Sequence, residues 1–274
     1  MKSGLVLLMG AILCGTAAGQ TQTAAEKRGK ELIDGAVQAL GGENFLHMQD
    51  RIESGRAYSF YREQISGLSI AKIYTRYITV APGKSGEDVG QRERQAFGKN
   101  EDSAVLFTES GGWEINWLGS KELPKDTVDR YRNTTLRNVL YILRQRLKEP
   151  GMIFESRGAD IFENKPVDIV DITDSENRVV KVYLYQSTKL PIRQVYLHYN
   201  SQTKEQDEEV TLFTRYRDVG SGIQWPMQIR RERNGEKVYE IFSETVTVNQ
   251  DLTDDLFTVP APGDKVSQKP KKKK

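Results

Sequence analysis

Alternating apolar and polar residues dominate the C-terminal part of the chain, from residue 179 to residue 260. Successive side chains of a β-strand point to opposite faces of a sheet, so this period of two predicts strands with one buried face. Turn-forming residues such as Gly220 and the pair Asn234 and Gly235 separate the runs. We therefore predict an antiparallel meander of five strands, whose runs read VVKVYLYQ, LPIRQVYLHYN, EEVTLFTRYRDV, IQWPMQIRRERN and EKVYEIFSETVTV.

The first half of the chain carries shorter runs of the same alternation. In residues 51–62, Ile52, Tyr58 and Phe60 share one face at even spacing. Further strands are predicted at residues 69–80, 87–97, 104–108, 112–118, 152–162 and 167–173. The whole chain predicts about eleven strands and shows no internal repeat of fixed period.

Two segments replace the strand pattern with the period of a helix. Thr23 and Glu26 match a capping box ahead of the first segment, which Gly41 and Gly42 end. The second segment spans residues 125–148. Its apolar stripe consists of Val128, Tyr131, Thr135, Leu136, Val139, Leu140, Leu143 and Leu147.

An apolar helical stripe has to be buried against another element, and here the only large partner is the sheet. We therefore predict a mainly β fold of the α+β kind. It consists of one large curved antiparallel sheet, or half-open β-barrel, of about eleven strands covered by an N-terminal helix and the mid-chain helix. All of this belongs to a single domain over residues 20–262.

Residues 1–19 have the three parts of a secretory signal peptide, namely Lys2, an apolar run and a stretch of small residues. The apolar run is too short to span a bilayer, although a transmembrane anchor is the alternative. Cys14 suggests lipid attachment, but Leu13 stands where acylation signals need a small residue, which argues against an anchored form. Without Cys14 the mature chain has no cysteine, which favours export to a bacterial periplasm over a disulfide-stapled secreted domain.

Charge is distributed unevenly along the chain. The sequence has 40 basic and 38 acidic residues, but five of the lysines lie in the last six positions. Residues 263–274 are therefore predicted to be a disordered basic tail, with contact to an anionic membrane surface as the alternative. Export and the absence of a basic face in the body argue against nucleic acid as a partner.

Several short segments, in this order along the chain, carry a resemblance to a known family. They are ALGG at residues 39–42, the mid-chain helix between two β halves, LPIR at 190–193, GIQWP at 222–226 and DDLFTVP at 254–260. In these the chain resembles the periplasmic lipoprotein-carrier family typified by LolA and LolB. That fold is shared by outer-membrane lipoprotein-sorting proteins and by the lipid-binding domains of RseB-type regulators.

The resemblance covers most of the mature chain, residues 23–262. It implies a half-open β-barrel closed by helices, an apolar cavity that accepts acyl chains, and no catalysis. Two features depart from the family: no motif marks the arginine that holds the carriers' lid closed, and the lysine tail is no part of the pattern.

A curled sheet of about eleven strands also encloses more volume than its side chains fill, and apolar cavities of this kind bind small ligands. Candidate lining residues come from the aromatic strand faces and the mid-chain helix: Tyr58, Phe60, Tyr74, Trp113, Trp117, Leu140, Leu143, Tyr183, Tyr196, Phe213, Trp225 and Phe242. Trp113, Ile115 and Trp117 share one face of a short strand, so we expect them to be core or cavity wall together.

Catalytic and metal-binding motifs are missing from the sequence. His47 and His198 are the only histidines, they lie far apart, and no metalloprotease, phosphate-loop or nucleophile-elbow motif is present. We therefore predict no catalytic residues, no metal and no cofactor. A hydrolase assembled only in space remains an alternative; it requires a serine or a carboxylate beside one of the histidines in an open pocket.

Two binding functions are left as the main hypotheses. The first is a periplasmic carrier or chaperone for the acyl chains of a lipid or lipoprotein. The second is an RseB-like regulatory or scaffold module, in which the same cavity senses lipid and a surface binds an envelope protein.

Overall fold

Thirteen antiparallel strands form one sheet in the computed structural model, which describes residues 22–81, 83–84, 86–200 and 203–260. The predicted signal peptide, with Cys14, and the basic tail lie outside these residues. The strands are β1 (Asp50–Tyr61), β2 (Gln64–Tyr77), β3 (Gln91–Phe97), β4 (Ser103–Thr108), β5 (Gly111–Asn116), β6 (Gly119–Glu122), β7 (Ile153–Phe162), β8 (Lys165–Thr173), β9 (Val179–Tyr185), β10 (Pro191–Tyr199), β11 (Gln206–Asp218), β12 (Gln224–Arg233) and β13 (Glu236–Val248). The helices are α1 (Ala24–Leu40), α2 (Glu43–Leu46), α3 (Lys125–Leu136) and α4 (Val139–Tyr141). A π-helical turn (Ile142–Arg146) continues α4, and a 3₁₀ turn spans Asp254–Phe257.

The strands lie in the order β6-β5-β4-β3-β2-β1-β13-β12-β11-β10-β9-β8-β7, and all neighbours are antiparallel. β1 pairs with β13, where Arg51 lies opposite Val248, so the predicted meander and the first-half strands are parts of one sheet. The predicted mainly β fold with an N-terminal and a mid-chain helix is confirmed. Within the described residues β6 and β7 are open edges, so the sheet is not a closed barrel.

The sheet curls around its helices. α1 packs on β7 and β8 and also contacts β12, which lies four strand positions from β8. Strands are about 4.8 Å apart, so a flat sheet would separate β8 from β12 by roughly 19 Å, well beyond the ~10 Å diameter of a helix. The face that carries α1 is therefore concave.

Each face of the sheet has its own apolar core. On the concave face, α1 and α4 pack against β8, β9, β11, β12 and β13; the cluster includes Leu32, Ile33, Val37, Leu140, Leu143, Val170, Val182, Phe213, Trp225 and Val246. On the convex face, the segment after β13 places Leu252, Leu256 and Phe257 over a second cluster on β2 to β5. Asp254 accepts hydrogen bonds at 2.6 Å from Arg76 and from Arg92, which hold this segment in place.

The prediction of one continuous helix over residues 125–148 is wrong. α3 ends at Leu136, and Asn138 has an extended backbone from which its side chain accepts hydrogen bonds from the first amides of α4. Gln194 of β10 accepts a further bond from the amide of Val139 at 2.7 Å. The helix therefore breaks because a side chain on the sheet and a local cap satisfy the amides that a longer helix would use.

The predicted strand count was too low. β2 begins at Gln64 instead of residue 69, since Arg62 and Glu63 both have positive φ and close a tight two-residue hairpin. β6 is a short edge strand of four residues that the alternation did not reveal. Within the described residues, no helix is long and apolar enough to cross a membrane.

Arg146, at the end of the π-helical turn, joins three parts of the fold. Its side chain is 1% exposed and forms ion pairs with Glu149 at 2.6 Å and Asp174 at 2.9 Å. It also donates to the carbonyl of Leu136, the last residue of α3. Burial alone would raise the pKa of Asp174, but hydrogen bonds from Arg146 and Arg178 outweigh it and hold that pKa below its usual value.

Replacing Gly29 with Ala should loosen the packing of α1. A Cβ there would lie 2.4 Å from the carbonyl oxygen of Phe154 on β7, whereas a Cβ at Gly35 would meet nothing within 4 Å. We expect G29A to lower the free energy of unfolding by about 1–3 kcal/mol. G35A, the matched control, should raise it by about 0.5–1 kcal/mol, because Ala favours helix over Gly. Urea unfolding measures both, and equal effects would contradict this packing of α1 on β7.

Arg146 should be far more important for stability than an exposed arginine. R146M leaves Glu149 buried without a cation and Asp174 with Arg178 alone, which we expect to cost about 3–5 kcal/mol. R56M removes an ion pair to Glu244 whose side chains are both exposed, and should cost less than about 1 kcal/mol. Thermal unfolding of the two variants tests this, and a similar melting temperature for both would refute the structural role of Arg146.

Candidate functional site

A cavity of about 330 Å³ lies between the concave face of the sheet and α3. β1, β3 and β12 provide its floor, α3 its roof, and the start of α4 closes one end. The lining residues are Arg51, Tyr77, Gln91, Glu93, Gln95, Phe107, Thr127, Arg130, Tyr131, Thr134, Thr135, Asn138, Leu140, Tyr141, Trp225, Ile229 and Arg231. The lining is therefore mixed, with aromatic and aliphatic groups beside amides, hydroxyls and charges.

An aromatic stack attaches α3 to the first half of the sheet. The rings of Tyr131 and Phe107 are parallel, with centroids 3.7 Å apart. The hydroxyl of Tyr131 accepts a hydrogen bond from the side-chain amide of Gln91 at 3.0 Å. Burial, together with the charge of Glu93, raises the pKa of Tyr131 well above its usual value, so this hydroxyl stays protonated.

Glu93 lies at the centre of the floor, between two glutamines of the same strand. The side-chain amides of Gln91 and Gln95 donate to its carboxylate at 3.1 and 2.6 Å. Burial raises the pKa of Glu93, although the bond from Gln95 and the charge of Arg51 act in the opposite direction. The carboxyl group is thus held in a fixed orientation, and its surroundings favour the neutral form more than water does.

Arg51 and Trp225 form the inner wall of the cavity. The guanidinium of Arg51 lies 4.1 Å from the centroid of the Trp225 ring, and it donates to Thr75 at 3.0 Å and to the hydroxyl of Tyr77 at 3.3 Å. Its nearest carboxylate is Glu53, whose oxygen is 3.6 Å from Nε. Trp225 is 3% exposed, so the pair presents a flat, cationic and largely desolvated surface.

Arg231 connects the floor to the roof. Its guanidinium donates to the hydroxyl of Thr134 on α3 at 3.3 Å. In a flat sheet, β12 and the β4 residue that stacks on Tyr131 would be five strand positions, or roughly 24 Å, apart. Tyr131 and Thr134 lie next to each other on one face of α3, so the sheet must curl to bring β4 and β12 to the same helix. This curl encloses the cavity.

The structure brings together only some of the residues predicted to line a cavity. Leu140 and Trp225 line the space under α3, and Tyr196 borders a second, polar cleft beside it. Phe213 and Leu143 lie in the solid concave core and are fully buried.

The other predicted lining residues lie elsewhere. Tyr74 and Trp113 belong to the convex core under Phe257. Tyr58 and Phe242 form an edge-to-face pair at 5.8 Å on the convex face, whereas their neighbours Ala57 and Ile241 pack with the floor residue Ile229 on the concave face. Tyr183 lies in an outer cluster with Phe162. Phe60 lies under Lys237. The expectation that Trp117 is buried with Ile115 is wrong, because β5 ends at Asn116 and Trp117, in the following turn, is 75% exposed.

Sequence reasoning missed the polar part of the site. Gln91, Glu93 and Gln95 lie on β3, a central strand that is polar on both faces in its first five residues. A central strand with two polar faces is unusual, because a strand of an antiparallel sheet normally packs one apolar face against a core. That pattern was the available signal for a polar cavity.

The histidines do not form a recognisable catalytic group. His47 is exposed and its Nδ1 lies 3.2 Å from Glu43 on the surface of α2. His198 lies opposite Asp207 in the polar cleft, but both oxygens of Asp207 accept from the side chains of Asn200 and Asn234. Within the described residues no three His, Cys, Asp or Glu side chains are grouped as metal ligands.

Comparisons with known proteins find similarity in structure only. No protein-family model matches the sequence, and no curated protein matches it. A DUF1329 family protein from Desulfovibrio piger is similar with a TM-score of 0.56 at 16% identity, over 84% of this chain and 97% of that one. A domain classed with outer membrane lipoprotein-sorting proteins, from Vibrio parahaemolyticus, has a TM-score of 0.56 at 12% identity, over 85% and 97%. A LolA superfamily protein from Nitrosomonas europaea has a TM-score of 0.50 at 10% identity, over 84% and 97%.

These identities are low enough that the likeness concerns the fold alone. The matches nevertheless extend over 97% of each solved chain and over 84–85% of this one. The chain therefore has a LolA-like fold, as the order of its sequence motifs predicted.

Proposed function

We propose that the protein is a non-catalytic binding protein of the bacterial envelope that holds one amphipathic molecule, a lipid or another acylated compound, in the cavity under α3. The observation that carries this proposal is the mixed lining of that cavity. Leu140, Ile229 and Phe107 offer apolar contacts, while Arg51 and Arg231 offer charged ones. A molecule with an acyl chain and a polar head matches both kinds of surface.

The volume of the cavity limits the size of the proposed ligand. Its volume of about 330 Å³ is near the lower end of the range of about 300–1,000 Å³ that small-molecule sites span. Most of the remaining concave face is occupied by α1 and α4, which fill it with buried side chains. This favours a single-chain ligand over the multiply acylated terminus of a lipoprotein.

The roof of the cavity is the part of the fold best suited to admit a ligand. Of the residues in α3 only Thr135 and Leu136 are buried, and its interior contacts are a few side chains such as Tyr131 and Thr134. Elements with few buried apolar contacts open at low free-energy cost. Export through the predicted signal peptide would place such a protein where lipids cross an aqueous compartment.

Filling the cavity should abolish binding of an apolar probe. Thr134 lines the space under α3, and T134W introduces an indole into it. We expect this variant to lose at least about tenfold in affinity for the neutral fluorophore N-phenyl-1-naphthylamine, since the probe and the indole compete for one volume. T245W, at an exposed position of β13, is the matched control and should bind like the parent protein. Failure of the parent protein to bind the probe, or equal binding by both variants, would refute the proposed site.

A second candidate function, binding to a protein partner, is favoured by the tip of the β1–β2 hairpin. β1 pairs with β13 only as far as Ser59, and β2 pairs with β3 only from Ala71, so residues 60–70 form a two-stranded projection. Tyr61, Ile65, Leu68 and Ile70 on it are between 53% and 66% exposed. Exposed apolar groups that cluster on one projection are typical of contact surfaces.

Site-specific photo-crosslinking in the producing cells tests this second function. A photoreactive phenylalanine analogue at Leu68 should give a discrete protein adduct, whereas the same analogue at Thr245 should not. Adducts at neither position would argue against a protein partner at the hairpin. Adducts to lipid at Leu68 would assign the projection to a membrane instead.

A further inference from the structure

The cavity under α3 carries an excess of positive charge. Three arginines line it, Arg51, Arg130 and Arg231, against one carboxylate in the lining, Glu93; a second carboxylate, that of Glu53, lies behind the lining 3.6 Å from Nε of Arg51. Arg130, in the middle of α3, is exposed and also borders the neighbouring polar cleft, so it lies at the mouth. Glu93 supplies one negative charge against these three positive ones, and burial favours its neutral form by raising its pKa.

Two buried donors in the cavity wall have no hydrogen-bond partner. Nε of Arg51 and Nε1 of Trp225 are both without an acceptor, although each residue is more than nine-tenths buried. Buried donors are almost always satisfied, since leaving one unpaired costs free energy. An acceptor supplied by a ligand would satisfy both groups at one place, because the guanidinium lies against the indole ring.

Arg231 is also able to bind an anionic group. Within the described residues it forms no ion pair, and its hydrogen bond goes to the neutral hydroxyl of Thr134. Its neighbour Arg230, by contrast, pairs with Glu232 at 2.8 Å. The cavity therefore contains a half-buried arginine without a carboxylate, beside a buried arginine and an indole that each have a free donor.

We propose that the cavity binds its amphiphile through an oxyanion head, a carboxylate or a phosphate, held by Arg231, by Arg51 and by the indole Nε1 of Trp225. This inference rests on the proposed function, since it names the head group of the ligand that the cavity holds. A guanidinium fork suits both a planar carboxylate and a tetrahedral phosphate, because each presents two oxygens that can accept parallel hydrogen bonds. The apolar wall formed by Leu140, Ile229 and Phe107 receives the chain.

A cationic or neutral head fits this lining less well. A cation would add to the three arginines that already line the cavity, and like charges repel more strongly in a partly desolvated site than in water. A neutral alcohol could satisfy one donor but would leave Arg231 without a counter-charge. The ligand class that follows is a single-chain acid such as a fatty acid or an alkyl phosphate.

The test uses displacement of N-phenyl-1-naphthylamine from the full mature chain by ligands of one chain length. Decanoate and decyl phosphate should displace the probe from the parent protein at least about tenfold more tightly than decanol. R231M should remove this preference, so that decanoate and decanol displace the probe with similar affinities. R230M makes the same change one residue along the strand and should keep the preference. W225F, which removes Nε1 and keeps an aromatic ring, should weaken the binding of the two acids by a smaller factor than R231M does.

The outcomes separate this inference from the proposed function. Binding of the probe with equal affinity for decanol and decanoate would overturn the oxyanion head and leave the amphiphile site in place. No binding of the probe would overturn both. Inorganic phosphate alone, measured by calorimetry, should bind far more weakly than decyl phosphate; comparable affinities would identify a free anion as the ligand and refute the amphiphile. Thermal unfolding of R231M confirms that it is folded, and R231K, which keeps the charge, should retain part of the preference.

Discussion

A sheet of thirteen strands has two faces, and the fold depends on how each is covered. The concave face is filled at one end by α1, α4 and the π-helical turn, which pack against the strands of the second half. The convex face of the first half is covered by the segment after β13, which Asp254 ties to Arg76 and Arg92. Because that segment supplies the apolar cover outside, the concave face of β1 to β3 is free to be polar.

This division explains where the cavity lies and what lines it. α3 spans the part of the concave face that the other helices do not fill, and it touches the sheet through Tyr131 on one side and Thr134 on the other. The break at Asn138 lets the chain turn between this roof and the solid core, and Arg146 fixes the far side of the break to the turn after β8. A rigid core and a lightly attached roof are thus built from one stretch of sequence.

Much of the architecture could be predicted from the sequence, whereas most of the site could not. The capping box at Thr23, the stop at Gly41 and the alternation of β9 to β13 are local signals that the structure retains. The aromatic residues chosen as cavity lining were selected by type and spacing, and spacing places residues on a common face without saying which face is concave. Tyr74 and Trp113 shared a face with apolar neighbours, but that face lies under the C-terminal segment. Leu140 and Trp225 line the cavity because their elements curve toward α3.

The sequence by itself determined the mainly β class, the order of helices and strands, and the likeness to the LolA family, since each depends on periodicity and punctuation within short windows. Only the tertiary structure decided that the first half buries its apolar face outward, that the mid-chain helix breaks at Asn138, and that Arg51, Glu93, Trp225 and Arg231 meet in one cavity. These outcomes depend on contacts between residues far apart in the chain, such as Arg51 with Trp225 and Val139 with Gln194. A local sequence pattern does not predict such contacts, because the curl of the sheet and the path of the segment after β13 arise only when the whole chain packs.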